Sequence, residues 1–481
     1  MQSIWTKTCE IEKRDAVHKD MKCNTAVIGA GLAGILTGYR LKEKGIDAVI
    51  LEASNIAGGQ TKNTTAKITS QHGSIYSRLL KQFGTEKAKQ YANANQEAVK
   101  AYESLVTSLN IDCDFEYADA YIYSLSDEKM LVEEQKTAKL LGLPAEFISS
   151  VKLPLRIKGA VKFTNQAQFN PLKFIKRISS ELQIYENTPV KAIEENTLTT
   201  ATGNKIQAEN IVFATHFPFI NFPGCYFARM HQERSYVVCF ENGAGIDGMY
   251  IDFEAGGLSF RNYNQYLLIG GENHRTGENT DGGRYNYIIN NANQLFPGIK
   301  EVTRWSAQDC ITTDGVPYIG KYSTKTPDRY VATGFMKWGM TSSMVSAEII
   351  SDMITGRKNK NAEVFSPQRY SVNDVKQTCV DGVKSIKCLI KEPLAPAPVT
   401  LSDLSPGHGK IVSDKDGKRG VYKDFDGTVY VVDIKCPHLG CQLEWNPDEK
   451  SWDCPCHGSR FDYRGKLIDN PAQKDLKGRT K

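Results

Sequence analysis

Asn24-Thr-Ala-Val-Ile28 runs without interruption into Gly29-Ala30-Gly31-Leu-Ala-Gly34, and the reading of this stretch decides the fold of most of the chain. The first five residues suit a short buried strand. Leu36, Leu41 and the alternating Lys and Glu that lead to Gly45 read as a helix, and Asp47-Ala-Val-Ile-Leu51 is a second apolar strand ending on Glu52. Strand, glycine turn, helix and strand in that order make a dinucleotide-binding βαβ unit. The glycines permit a tight turn and close approach of a pyrophosphate to a helix N-terminus, and an acid about twenty residues on accepts from a ribose hydroxyl.

Gly243-Ala-Gly245-Ile-Asp-Gly248 repeats the glycine pattern but not its context. Ser235-Tyr-Val-Val-Cys-Phe240 before it and Met249-Tyr-Ile-Asp-Phe253 after it both read as strands, so a hairpin turn or short loop is expected there. One dinucleotide site follows, with no second one for a nicotinamide cofactor.

At the other end, Cys436-Pro-His438-Leu-Gly-Cys441 is followed by Cys454-Pro-Cys456-His457-Gly-Ser459. Two Cys-His pairs offer thiolates to one iron and neutral imidazoles to another, the asymmetric set of a Rieske-type [2Fe–2S] centre. A tetrahedral zinc site is the alternative for a bare pair of Cys-His motifs. Cys441 and Cys456 are surplus to zinc and are placed as a bridge between the two ligand loops requires.

Residues 401–481 resemble the Rieske family. The resemblance implies that Cys436 and Cys454 bind one iron, His438 and His457 the other, that Cys441 and Cys456 form a loop-pinning disulfide, and that Ser459 donates to a bridging sulfide. Phe461 stands where many high-potential members have a tyrosine donating to a ligand sulfur, which implies a potential below theirs.

Gly58-Gly59-Gln60-Thr61 through Thr65 and Lys67, Asp309-Cys-Ile-Thr-Thr-Asp314 through Gly320, and Tyr330-Val-Ala-Thr-Gly334-Phe-Met-Lys337-Trp-Gly339-Met340-Thr341 carry a second resemblance. Over about residues 22–365 the chain resembles the FAD-dependent oxidoreductases typified by D-amino-acid oxidase, glycine oxidase and sarcosine oxidase. The resemblance implies FAD, with Gly29, Gly31 and Gly34 at the pyrophosphate and Glu52 at the ribose. Thr61 to Lys67 and Gly339 to Thr341 would approach the flavin, and Val190 would hold adenine through its backbone. Ala214, on the strand Val212-Phe-Ala-Thr215, returns to the cofactor, and Ala30, Ala53, Gly59, Gln60 and Gly334 are further expected contacts. Taken singly, each later stretch also reads as an ordinary strand-turn.

The expected architecture is an α/β FAD-binding Rossmann-like domain at 22–370 with an inserted α+β substrate lobe at about 76–150 and 223–304. A Pro-rich linker at 371–400, containing Lys391-Glu-Pro-Leu-Ala-Pro-Ala-Pro398, leads to an all-β Rieske domain at 401–481. The proline spacer favours extended backbone, and the two domains are expected to fold separately. Glu86 to Leu109 reads as a long helix.

The 481 residues are 40% hydrophobic and 24% charged, ordinary for a globular protein. A net charge of +5 without a clustered basic face argues against a nucleic-acid surface. No apolar run is long enough to span a bilayer and the first ten residues lack the apolar core of a secretory signal, so a cytoplasmic protein is expected. Four of the twelve cysteines belong to the Rieske segment and the rest are scattered.

The catalytic centre is less legible. Arg261, on the predicted strand Leu258-Ser-Phe-Arg-Asn-Tyr263, is the first candidate to anchor a substrate carboxylate, against the reading of a surface strand arginine. Tyr263, Arg229 and Lys337 are further candidates, and His72 is a candidate base or else a packing histidine. Cys310 lies near where sarcosine oxidases carry a cysteine-linked flavin; a buried inert cysteine is the other reading.

Two function classes stand open. One is an enzyme that oxidises a small amine, amino acid or hydroxy acid at FAD and passes electrons singly through the cluster to an external acceptor. The other is a redox sensor or electron shuttle that turns over no metabolite. A Rieske oxygenase would need two more histidines and a carboxylate around a mononuclear iron. The remaining histidines, His18, His72, His216, His231, His274 and His408, put no two within a helical turn. The expected partners are a small-molecule reductant and an acceptor that the sequence leaves unnamed, as it does the oligomeric state.

Overall fold

The computed structural model describes residues 1–369 and 404–480, apart from 244, 255, 415 and 416, so the expected spacer at 371–400 lies outside the described residues. Met21–Ile28 runs parallel to Ala48–Leu51 on one side and Lys205–Phe213 on the other, with helix Leu32–Glu43 as the crossover. Gln183–Tyr185 and Thr326–Thr333 extend this parallel sheet at its two ends. Ala26 and Val27 are fully buried, as a parallel strand covered on both faces requires.

A nine-stranded sheet forms the second layer. Its order is Lys300–Thr312, Met230–Glu241, Tyr266–Arg275, Ser259–Tyr263, Gly248–Asp252, Glu116–Ser124, Gly159–Gln168 and Lys67–Ile68, with Ala145–Ile148 beside Gly159–Gln168. Gly159–Gln168 and the end of Lys300–Thr312 therefore belong to the same sheet as the expected lobe strands. The long helix spans Ile75–Ser108 and is broken at Gly84. The second glycine motif leads to no helix. Gly248–Asp252 pairs with Ser259–Tyr263 and with Glu116–Ser124, so the motif is a loop crossing the sheet and not a hairpin.

Past residue 404, two four-stranded antiparallel sheets enclose Leu443, Trp452 and Phe461, each fully buried. No helix among the described residues is long and apolar enough to cross a membrane.

This all-β unit does not stand apart. Met230–Glu241 and Lys300–Thr312 pair in register, Glu233 opposite Asp309 and Arg234 opposite Gln308. Alternate residues of a strand face opposite sides, so one side carries Ser235, Val237, Ala307 and Asp309 and the other carries Gln232, Arg234, Ser306 and Gln308. The second set contacts the Rieske unit. Arg234, 1% exposed, pairs with Glu449 at 3.1 Å and lies 3.8 Å from Asp469, and Arg460 binds Asp469 at 2.9 Å, Asp453 at 3.1 Å and Glu449 at 3.4 Å. Ser306 and Tyr285 both donate to Glu449, at 2.5 and 2.7 Å. Removing one member of such a network strands a buried charge at a cost of about 3–5 kcal/mol. The Rieske unit thus docks on the flavin domain through a buried network of ion pairs.

Candidate functional site

A cavity of about 790 Å³ opens at the carboxyl ends of the parallel strands and continues under the nine-stranded sheet. Two helix N-termini point into it. Gly31, Leu32 and Ala33 open helix Leu32–Glu43, and Gly339 and Met340 open helix Gly339–Ile354. The positive dipole end at each suits a pyrophosphate and an electron-rich ring edge. A Cβ on Gly59 or Gly339 would meet nothing within 4 Å, and one on Gly31 only Thr61 Oγ1 at 3.3 Å, which leaves a cradle for a ligand backbone.

Glu52 lines the cavity while its carboxylate accepts from Ala30 N at 2.7 Å and Ser54 N at 2.8 Å. Burial pushes its pKa up, against those two N–H donors. The two hydrogen bonds fix the carboxylate at the cavity wall. Ala53, Gly59, Gln60, Thr61, Thr65, Lys67, Val190, Ala214 and Gly334 also line the cavity. Burial, with Arg261 nearby, pushes Lys67 down to about 7. Three expected contacts are absent from the cavity wall: Gly34, Thr341 and Ala30, whose N–H is taken by Glu52. A Cβ on Gly34 would lie 1.9 Å from Gly29 O, so Gly34 allows helix to pack on strand, and Thr341 Oγ1 sits 3.1 Å from His72 Nε2 behind the wall.

The catalytic candidates separate sharply. Arg261 is 1% exposed and donates to Thr65 O at 2.7 Å, Ala66 O at 2.9 Å and Asn262 O at 2.9 Å. It supports the Thr61–Lys67 segment from behind and is absent from the cavity wall, which overturns its reading as a carboxylate anchor. Tyr263 donates to Asp114 at 2.8 Å and packs edge-on against Trp5, also away from the cavity. His72 is held between Tyr91 Oη at 2.7 Å and Thr69 O at 2.8 Å and stacks on Trp338. Burial pushes it down to about 3, so it is a neutral packing histidine and not a base.

Arg229 lies over the Tyr318 ring at 4.2 Å. Cys310 faces away from the cavity, its Sγ 3.4 Å from His216 O, and burial raises its thiol well above the ordinary range. That geometry removes it as a flavin attachment point.

Lys337 alone of the candidates lines the cavity, and its Nζ is 3.2 Å from Glu233 Oε2. Beside it lies Asp309, a residue the sequence reading quoted without assigning a role. Burial pushes Asp309 up to about 7, Lys337 partly opposing it. Its position on the cavity side of a strand was the available signal.

The cluster loops close on each other through the Cys441–Cys456 disulfide, and Cys454 Sγ lies within 4.8 Å of both disulfide sulfurs. Hydrogen bonding from Cys454 lowers the Cys436 thiol against its burial, aided by Ser459 and the His438 and Leu439 N–H groups. The His438 and His457 rings stand perpendicular at 4.8 Å, and burial pushes them down to about 4 and about 3. Both Nδ1 atoms are buried without a hydrogen-bond partner. Two adjacent thiols and two neutral imidazoles with orphaned Nδ1 atoms fit a [2Fe–2S] cluster held by two sulfurs and two nitrogens. His438 Nε2 is 3.0 Å from Asn221 Oδ1, so the histidine side of the site rests on the flavin domain.

The partition between the two sites is one sheet thick. Gln232 Nε2 donates to His457 O at 2.6 Å, and Gln308 Nε2 donates to Gly458 O at 2.8 Å and to Gln232 Oε1 at 2.5 Å. Gln308 N in turn donates at 2.8 Å to Gln60 Oε1, in the cavity wall.

Cavity and cluster loops together define a flavin-dependent oxidoreductase joined to an iron–sulfur domain. Residues 24–353 match the FAD dependent oxidoreductase family and residues 399–479 the Rieske [2Fe-2S] domain, and the chain belongs to that oxidoreductase family. A Rieske 2Fe-2S iron-sulfur protein of Bacillus subtilis (strain 168), YhfW, is 34% identical over 99% of this chain and 97% of its own. The cytochrome b6-f complex iron-sulfur subunit 1 of Nostoc sp. (strain PCC 7120 / SAG 25.82 / UTEX 2576) is 47% identical over 49 residues, 10% of this chain and 27% of its own. The fold is shared with glycine oxidase from Geobacillus kaustophilus, at TM-score 0.62 and 17% identity over 73% of this chain and 99% of that one. L-proline dehydrogenase from P. horikoshii gives TM-score 0.62 and 18% identity over 73% and 98%. The cofactors are FAD and a Rieske [2Fe-2S] cluster, and the protein is an FAD-dependent oxidoreductase of the amino-acid-oxidase type.

Proposed function

We propose that the protein oxidises a small amine, amino acid or hydroxy acid in the cavity and passes the electrons singly through the Rieske cluster to an external acceptor. The observation that carries this reading is the shared partition: opposite faces of the same two strands meet the cavity and the cluster loop. Bound FAD supplies two-electron oxidation with release in one-electron steps, the link between a metabolite and a one-electron centre.

The chain's own residues supply the rest. Lys337 and Asp309 line the cavity, where Asp309, at about 7, can take up a proton near neutral pH. Glu233 holds the Lys337 ammonium at 3.2 Å. The burial of His438 and His457 keeps both imidazoles neutral and able to ligate.

Anaerobic titration of the holoprotein with a panel of amines, amino acids and hydroxy acids tests it, flavin and cluster absorbance being followed separately. Loss of flavin colour followed by cluster reduction with at least one compound is expected. A cluster that is reduced only by other redox proteins, with no metabolite bleaching the flavin, would identify a sensor or shuttle instead.

A further inference from the structure

We infer that the Rieske domain is a structural part of the FAD site, so that FAD retention depends on an assembled iron–sulfur domain. Residues Leu467 to Asn470, with Ala472 and Gln473, line the cavity beside Thr188 to Lys191 and Thr215. This is the end where the chain's resemblance places adenine and ribose. Part of the wall of the dinucleotide arm therefore comes from the Rieske unit, about two hundred and fifty residues along the chain from the segment it adjoins.

The wall is bonded to both sides. Asn470 Nδ2 donates to Thr215 O at 3.0 Å and Phe217 O at 2.8 Å, Lys191 Nζ donates to Gln473 O at 3.0 Å, and Gln60 Nε2 donates to Asp469 Oδ1 at 2.8 Å. On its other side it is tied to the ligand loops. Ala472 N donates to Ser459 Oγ at 2.9 Å, Arg460 holds Asp469 at 2.9 Å, and Gln232 Nε2 reaches Asn470 O at 3.2 Å while holding His457 O. Ser459 O in turn accepts from Cys454 N at 2.8 Å. A short chain of hydrogen bonds thus runs from a cluster cysteine through Ser459 to the wall of the FAD cavity.

Without the metal, Cys436, His438, Cys454 and His457 lose what organises their loops, and the wall loses its anchor at Ser459. FAD then leaves more readily. Linkage makes the effect mutual: whatever factor the cluster adds to FAD affinity, FAD adds to cluster retention.

The test uses full-length protein. FAD Kd is measured by fluorescence for wild type and for Asn470→Ala, with cluster content read by electron paramagnetic resonance. Asn470→Ala should keep the wild-type cluster signal and bind FAD about tenfold or more weakly, and Cys436→Ser, which lacks the cluster, should bind it more weakly still. Unchanged FAD affinity in Asn470→Ala would overturn the inference. A measurement on wild type needs no variant to fold: after FAD removal, the cluster should be lost to an iron chelator faster than in holoprotein, and equal rates would also overturn it.

Discussion

The Gln232 carboxamide donates to the main-chain carbonyl of His457 at 2.6 Å, joining a strand of the flavin domain to the residue that supplies a cluster imidazole. Glu233, the next residue, points to the other side of the sheet and salt-bridges Lys337 in the cavity wall. Neighbouring residues of one strand therefore reach the cluster loop and the cavity wall.

The two glycine motifs should respond differently to added bulk. Gly34→Ala places a Cβ 1.9 Å from Gly29 O, whereas Gly245→Ala meets nothing within 4 Å. FAD content per polypeptide should fall severalfold or more in the first and stay at the wild-type level in the second. Equal loss in both would mean that the second motif also serves the cofactor.

Arg261→Ala should act on stability. It removes the donors to Thr65 O and to the buried Ala66 O, at a cost of about 1–3 kcal/mol. Denaturant unfolding should show the loss, and Arg261→Lys should recover part of it. A variant of wild-type stability with only a raised KM would restore the anchor reading.

Asp309 predicts a pH dependence of stability. Its folded pKa of about 7 lies above the unfolded 3.8, so the native state holds the extra proton in between. The stabilisation is complete below the unfolded value and is lost as pH rises through about 7. In FAD-free protein, Asp309→Asn should remove that decline and be more stable than wild type at pH 8, by on the order of 1 kcal/mol. If Asp309 is also the proton acceptor for substrate, the variant's flavin reduction should slow about a hundredfold or more and lose its inflection near pH 7.

Much of this was legible in the sequence. Gly29 to Glu52 and the two Cys-His pairs are local patterns whose chemistry demands those residue types at that spacing. Arg261 was not legible, because a strand arginine that binds buried carbonyls and one that binds a substrate look alike without knowledge of which side it faces. Gln232 and Gln308 carry no motif, and their role exists only where two sheets from distant parts of the chain meet; Gln60 was legible as a cofactor contact but not as a partner of Gln308. The Leu467 to Gln473 wall was hidden by the reading of the Rieske segment as separate, since a proline-rich spacer says how far a domain can reach and not where it docks.

The cluster's potential should follow its hydrogen bonds. Ser459 is retained, while Phe461 is fully buried and donates nothing. The midpoint should lie in the middle of the roughly −150 to +300 mV Rieske range. A charge-assisted hydrogen bond of about 1.5–3 kcal/mol corresponds to roughly 65–130 mV for one electron. Phe461→Tyr should raise the midpoint and Ser459→Ala lower it by shifts of that order in a potentiometric titration; no rise in Phe461→Tyr would show that the missing phenol does not set the potential.

The central claim, that electrons cross the partition inside one molecule, is tested most directly by rapid-mixing kinetics. The flavin is reduced anaerobically with an identified substrate or by light, and cluster reduction is followed at several protein concentrations. The account predicts a first-order rate that is independent of protein concentration and slower in Gln232→Leu with its cluster intact. A rate that rises in proportion to protein concentration, or a cluster that stays oxidised beside reduced flavin, would contradict it.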